Sequence, residues 1–89
     1  MLIADYLLEG QENAIPRRRL MALTGLPDRA FRREIERERR DGIPILADNL
    51  TGYYLPSCED ERRRFVRSMR GRAFEILTTA AAIEKGAGA

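Results

Sequence analysis

Nine of the arginines in this chain fall between Arg17 and Arg40, and they are the side chains with the most chemistry to offer. A guanidinium is a planar fork of donors that matches a phosphate or the edge of a guanine, where a lysine offers only a point charge. Nine bases against Asp28, Glu34, Glu36 and Glu38 leave the stretch 16–40 at +5. The first fifteen residues hold Asp5, Glu9 and Glu12 and no base. The totals, 16 Lys+Arg against 14 Asp+Glu with a net charge of +2, conceal that asymmetry. Local charge decides whether a polyanion is attracted. Lys85 is the single lysine; GC-rich coding also produces such an arginine bias.

Few other side chains could do chemistry. The chain has no His, so the commonest general base and the commonest metal ligand are missing. Cys58 is the only cysteine, which excludes an internal disulfide and a CxxC site. There is no Gly-rich phosphate loop and no nucleophile beside a base. The expectation is a protein that is not an enzyme and needs no cofactor or metal. The opening MLIADYLLEG is interrupted by Asp5 and Glu9 and does not read as a signal peptide. No apolar run approaches the roughly 20 residues that span a bilayer. A cytoplasmic, reducing setting is expected.

The elements that must position the arginines follow from spacing. With 89 residues the chain holds one small domain and not two. Leu2, Ile3, Tyr6 and Leu7 predict a short amphipathic helix stopped by Gly10, with 11–15 as a linker. Ile15-Pro16 introduces a second helix whose apolar side is Leu20, Met21 and Leu23. Gly25 reverses the chain, and Leu26 is expected to plug the space between helices. Pro27 or Asp28 begins a third helix, with Phe31 and Ile35 facing the core and Arg29, Arg33, Arg37 and Arg40 on the opposite side. Ion pairs Arg32–Glu36 and Glu36–Arg40 are expected at i,i+4 spacing. Gly42 ends this helix.

A hairpin follows. Residues 43–46 are its first strand, 47–52 its loop and 53–55 its return, with Pro44 at an edge. Tyr53 and Tyr54 alternate, one toward the core and one half-exposed. Ser57 caps a long last helix running to Glu84, and 86–89 is a frayed end. Along it Val66, Met69, Ala73, Ile76, Ala80 and Ile83 step by 3, 4, 3, 4, 3, a heptad seam. About 28 residues make a helix of about 42 Å, longer than so small a core can cover. The fold class is mainly α with a small β-hairpin, with residues 1–56 as the domain and 57–85 as an added dimerisation or partner-binding helix.

The turn Gly25-Leu26, the pair Phe31 and Ile35, the stop Asp41-Gly42 and the segment GIPILADNLTGYYLP resemble the winged helix-turn-helix of the biotin-operon-repressor type. The tail ERRRFVRSMRGRAFEIL looks like that of small phage or prophage proteins that add a helix to such a domain. The resemblance implies three helices plus a β-wing, with 28–40 as the recognition helix. It implies double-stranded DNA as partner, in a bacterial or phage-type transcriptional regulator. Arg29, Arg32 and Arg33 would then reach base edges, and Arg37 and Arg40 would hold phosphates. Arg17, Arg18 and Arg19 would lie where the preceding helix crosses the DNA backbone, and Asn49 and Thr51 would touch phosphate or sugar. A homodimer through the heptad seam is expected, and a protein-interaction adaptor on the same scaffold is the alternative. Glu38 departs from the pattern, since the family usually has Leu there. Either the helix rotates, or Glu38 pairs with Arg62, Arg63 or Arg67 of the tail.

Overall fold

The computed structural model describes residues 1–86. It is mainly helical, with α1 at Arg17–Thr24, α2 at Asp28–Arg40 and α3 at Glu59–Gly86, and β1 at Leu46–Asp48 pairs antiparallel with β2 at Gly52–Tyr54. The sequence-predicted order of α1, α2, hairpin and α3 is therefore observed, with corrections at several places.

The first correction is at the N-terminus. Residues 3–6 form a 3-10 turn, not an α-helix, and Gln11–Asn13 form a second one. Seven residues are too few to repay α-helix nucleation. Gly10 ends no helix; its N–H donates to the Leu55 carbonyl at 2.8 Å, and the Leu55 N–H donates to Leu8 at 2.9 Å. Ile15 exchanges two backbone bonds with Tyr53, both 2.9 Å, so the supposed linker lies along the hairpin as a one-residue third strand.

The second is the hairpin, which starts three residues later than predicted. Its register sets Leu46 opposite Tyr54 and Asp48 opposite Gly52, with 49–51 as the loop. Pro44 explains the shift. It has no N–H to give a ladder, and the Ile45 N–H turns back to the Ile43 carbonyl at 2.8 Å. The bend buries Ile45 and Leu46 together, where a strand would have alternated them.

The third is Glu38. It is 0% exposed and pairs with no tail arginine. Its carboxyl oxygens accept the Ile3 N–H at 2.8 Å and the Ala4 N–H at 3.0 Å. Those are donors that the first 3-10 turn leaves unsatisfied. A buried acid in the last turn of α2 thus caps the N-terminal segment from 35 residues away in sequence. Burial pushes the Glu38 carboxyl above the ordinary carboxylate value, and the adjacent Glu34 adds to the rise; the two N–H donors oppose it.

The core is Ile3, Leu7, Leu20, Phe31, Ile35 and Ile45, with Leu46 and Tyr54 also buried. Phe31 and Ile35 point inward as their spacing predicts. Leu26 packs against this core, half-buried, after the turn. Gly25 makes that turn with φ +73°, a left-handed conformation that glycine adopts without penalty. Tyr53 is half-buried and meets Phe31 edge-on, centroids 5.5 Å apart, so both tyrosines contribute to packing.

Gly52 is the tightest point of the hairpin. Its φ is +117°, and a Cβ there would collide with the carbonyl oxygen of Ile15. Gly52→Ala therefore forces both a strained backbone and a displaced third strand. The expected loss is about 2–4 kcal/mol of unfolding free energy, read from a urea transition. Unchanged stability would mean that the Ile15–Tyr53 bridge is absent in solution.

The predicted end of α3 also moves, since the helix includes Gly86. The rest of the frayed end, residues 87–89, lies outside the described residues. Ser57 does not cap by its own oxygen accepting a helix N–H. The Glu61 carboxylate instead reaches back to accept the Ser57 N–H at 2.8 Å and its hydroxyl at 3.0 Å. The Ser57 N–H, with the Gln11 N–H behind it, holds the Glu61 carboxyl below its ordinary value.

Candidate nucleic-acid interface

α2 presents two faces of opposite chemistry because its apolar residues recur four apart. Phe31 and Ile35 occupy the inner face, while Arg29, Arg32, Arg33, Arg37 and Arg40 are exposed. Four-residue spacing puts Arg29 and Arg33 one above the other on the outer face, in the N-terminal half of the helix. Neither carries an ion pair among the described residues.

The other three arginines of the predicted set are partnered. Arg32 pairs with Asp28 at 3.0 Å, not with Glu36 as its spacing allowed. Arg40 pairs with Glu36 at 3.4 Å, as predicted. Arg37 is held between Glu34 and Asp41, and the hydrogen bonds it donates to Glu34 raise the guanidinium pKa further. The same contact with Arg37 pulls the Glu34 carboxyl below its usual value. These pairs lie at the surface, where solvent screening and side-chain entropy leave such contacts weak. An incoming phosphate can displace partners held that weakly.

On α1, Arg17 also reaches Asp28, at 3.2 Å. One carboxylate therefore links the start of α1 to the first turn of α2. Arg18 and Arg19 are exposed and have no acidic partner among the described residues. A cleft connects these elements to the hairpin: Arg17 and Arg32 line one side, and Asn49, Leu50 and Thr51 the other. Asp48 is turned to structural use. One of its oxygens accepts the Leu50 N–H at 2.7 Å, closing the loop, and the other accepts the Gln11 side-chain amide at 2.7 Å. The loop tip Asn49–Thr51 is left exposed, and Leu50 at its apex is 95% exposed.

The exposed positive charge that results is discontinuous. Arg29 and Arg33 are exposed on α2, Arg18 and Arg19 are exposed on α1, and Arg17 and Arg32 line the cleft that reaches the hairpin loop. Such a surface can hold a polyanion and bring guanidinium groups to hydrogen-bonding edges. Among the described residues no cluster of three or more His, Cys, Asp or Glu could hold a metal ion. No described helix is long and apolar enough to cross a membrane.

Spacing does not single out Arg39, because within the charged run Arg37-Glu38-Arg39-Arg40 one arginine carries no more signal of burial than another. Its Nε donates to the Ile45 carbonyl at 2.8 Å, and its guanidinium lies 5.2 Å from the centre of the Phe65 ring. Burial lowers its pKa from the ordinary arginine value. Arg39 thus clamps α2, the hairpin approach and α3 together. Arg39→Ala removes one hydrogen bond and one cation–π contact, about 1–2 kcal/mol in all. Faster amide exchange in the first turns of α3, with α1 unchanged, is the expected signature; uniform exchange would contradict the clamp.

No family model matches the chain, and neither do the curated proteins or the solved structures with which it was compared.

Proposed function

We propose that this chain is a double-stranded DNA-binding protein of the winged helix-turn-helix type, acting as a transcriptional regulator without catalysis. In this reading α2 enters the major groove. Arg29 and Arg33 read base edges, with Arg32 released from Asp28 to join them. Arg18 and Arg19, helped by Arg17, Arg37 and Arg40, hold phosphates, and the hairpin loop with Asn49 and Thr51 lies along the adjacent backbone. The setting is cytoplasmic.

The observation that carries the reading is the pair Arg29 and Arg33, exposed and without acidic partners among the described residues, opposite a face pinned by Phe31 and Ile35. Base contacts in helix-turn-helix proteins come from the N-terminal part of the second helix, where these two residues lie. The order of elements adds support: two helices joined by a left-handed glycine turn, then an antiparallel hairpin reinforced by Ile15.

The test is fluorescence anisotropy on mixed-sequence duplex DNA at about 50 mM salt. Micromolar binding is expected, and log K should fall with log salt by about 0.9 for each phosphate engaged. No binding under those conditions would end the reading.

A second reading, a protein-interaction adaptor, is favoured by the exposed apolar side chains of α3 and the modest net charge. A protein partner recovered in a pull-down after nuclease treatment, with no DNA recovered when nuclease is omitted, would favour it over DNA binding.

A further inference from the structure

α3 leaves the rest of the chain after its first third. Phe65 is half-buried beneath Arg39, and Val66 and Met69 line a shallow groove with Ile43 and Pro44. Beyond Met69 every helical residue is exposed. The chain's radius of gyration is 16.0 Å, against about 12 Å for a compact domain of this length. Even so, Ile76, Leu77 and Ile83 remain 69%, 67% and 65% exposed, and they belong to one apolar stripe. Contiguous apolar exposure of this kind marks an interaction surface.

We propose that this stripe is covered by α3 of a second copy of the chain lying antiparallel. Side-chain volume and charge both point to that direction. In a parallel pair each seam residue meets itself, so Ala73 and Ala80 would form two thin layers. An antiparallel pair meets Val66 with Ile83, Met69 with Ala80 and Ala73 with Ile76. Each alanine then faces a larger residue.

The charges agree. After the acidic first turn Glu59–Glu61, in which Glu59 and Asp60 pair with Arg62 and Arg64, the stretch 62–72 carries six arginines and no acid, while Glu75 and Glu84 lie with Lys85 in the second half. A parallel pair sets the basic halves side by side. Its flanking contacts, Phe65 with Arg70, Arg72 with Leu77 and Thr79 with Glu84, include no opposite charges. The antiparallel stagger that matches the seam also brings Arg63 beside Glu84 at both ends. Arg63 has no acidic partner among the described residues of its own chain. Ile83 of the second copy then extends the seam into the groove of Ile43, Pro44 and Met69.

The test needs no DNA, so its failure and that of the DNA-binding reading are separable. Cys58 is exposed and is the only thiol. In the full chain carrying Cys58→Ser and Lys85→Cys, a nitroxide is placed at position 85 and label separation is measured by double electron–electron resonance. Sedimentation at roughly 100 μM protein should give twice the 10.2 kDa chain mass. An antiparallel dimer places the labels about 30 Å apart at 1.5 Å rise per residue. A parallel one brings them within about 20 Å, given an interaxial spacing of 8–10 Å. Ile76→Glu, at an exposed position, should give a monomer with an unchanged circular dichroism spectrum. A short separation, a monomeric parent chain, or a dimeric Ile76→Glu variant would each overturn the proposal.

Discussion

Replacing Glu38 by Ala is expected to lower the unfolding free energy by about 3–5 kcal/mol, the largest effect of any single substitution outside the apolar core. The variant opens a cavity and strands two backbone donors. The N–H groups of Ile3 and Ala4 have no other acceptor among the described residues, and an orphaned buried donor costs about 1–3 kcal/mol. Against a typical total of about 5–15 kcal/mol, that loss removes much of the margin. Glu38→Gln should be milder, because one oxygen still accepts while the amide faces the second N–H.

The acid also sets a pH dependence. The folded-state pKa of Glu38 is raised above its ordinary 4.5, so the folded state holds the proton more tightly than the unfolded chain. That contribution is fully present below pH 4.5 and is lost as pH rises through the folded value. Glu34 and Glu61, whose pKa values are lowered, act in the opposite sense: their contributions are present above 4.5 and are lost on acidification. Urea midpoints of the parent chain and Glu38→Gln should therefore differ more below pH 4.5 than near pH 8. A difference independent of pH would mean that Glu38 does not titrate abnormally in the fold.

Replacing both Arg29 and Arg33 by Ala should abolish sequence discrimination while leaving stability nearly unchanged. A well-placed guanidinium on a guanine edge is worth about 1–3 kcal/mol of discrimination, so the pair carries about 2–6 kcal/mol if both read bases. Both side chains are exposed and unpaired among the described residues, so the folded state loses little. Arg18→Ala should behave differently: binding weakens about equally for all sequences, and the salt slope drops by about one phosphate. Equal effects from the two variants would make α2 a backbone contact and not a reader.

The parts of the fold set by local rules were legible in the sequence. Phe31 and Ile35, four apart among charges, identify the inner face of α2 with no need of tertiary information. Gly25 and Gly42 mark the ends of the two short helices because each follows a periodic apolar run. What escaped depends on partners distant in sequence. Glu38 reads as a misfit in a core position until the N–H groups of residues 3 and 4 arrive above it. Ile15 reads as linker because a one-residue strand has no period. Arg39 is indistinguishable in type from its exposed neighbours until Phe65 covers it. The hairpin boundary slipped because Pro44 bends an apolar run that would otherwise alternate. At the surface, spacing identified the exposed arginines and the Arg40–Glu36 pair but not the partner of Arg32, which took Asp28, one turn before it, in place of Glu36, one turn after.

The most direct measurement is selection of bound duplexes from a random DNA pool by the full chain, with the Arg29/Arg33 double Ala variant in parallel. Recovery of a defined sequence containing guanine by the parent chain, and none by the variant, is the expected result. An unenriched pool from the parent chain, or the same enriched sequence from both proteins, would contradict base reading by the exposed guanidinium groups of α2.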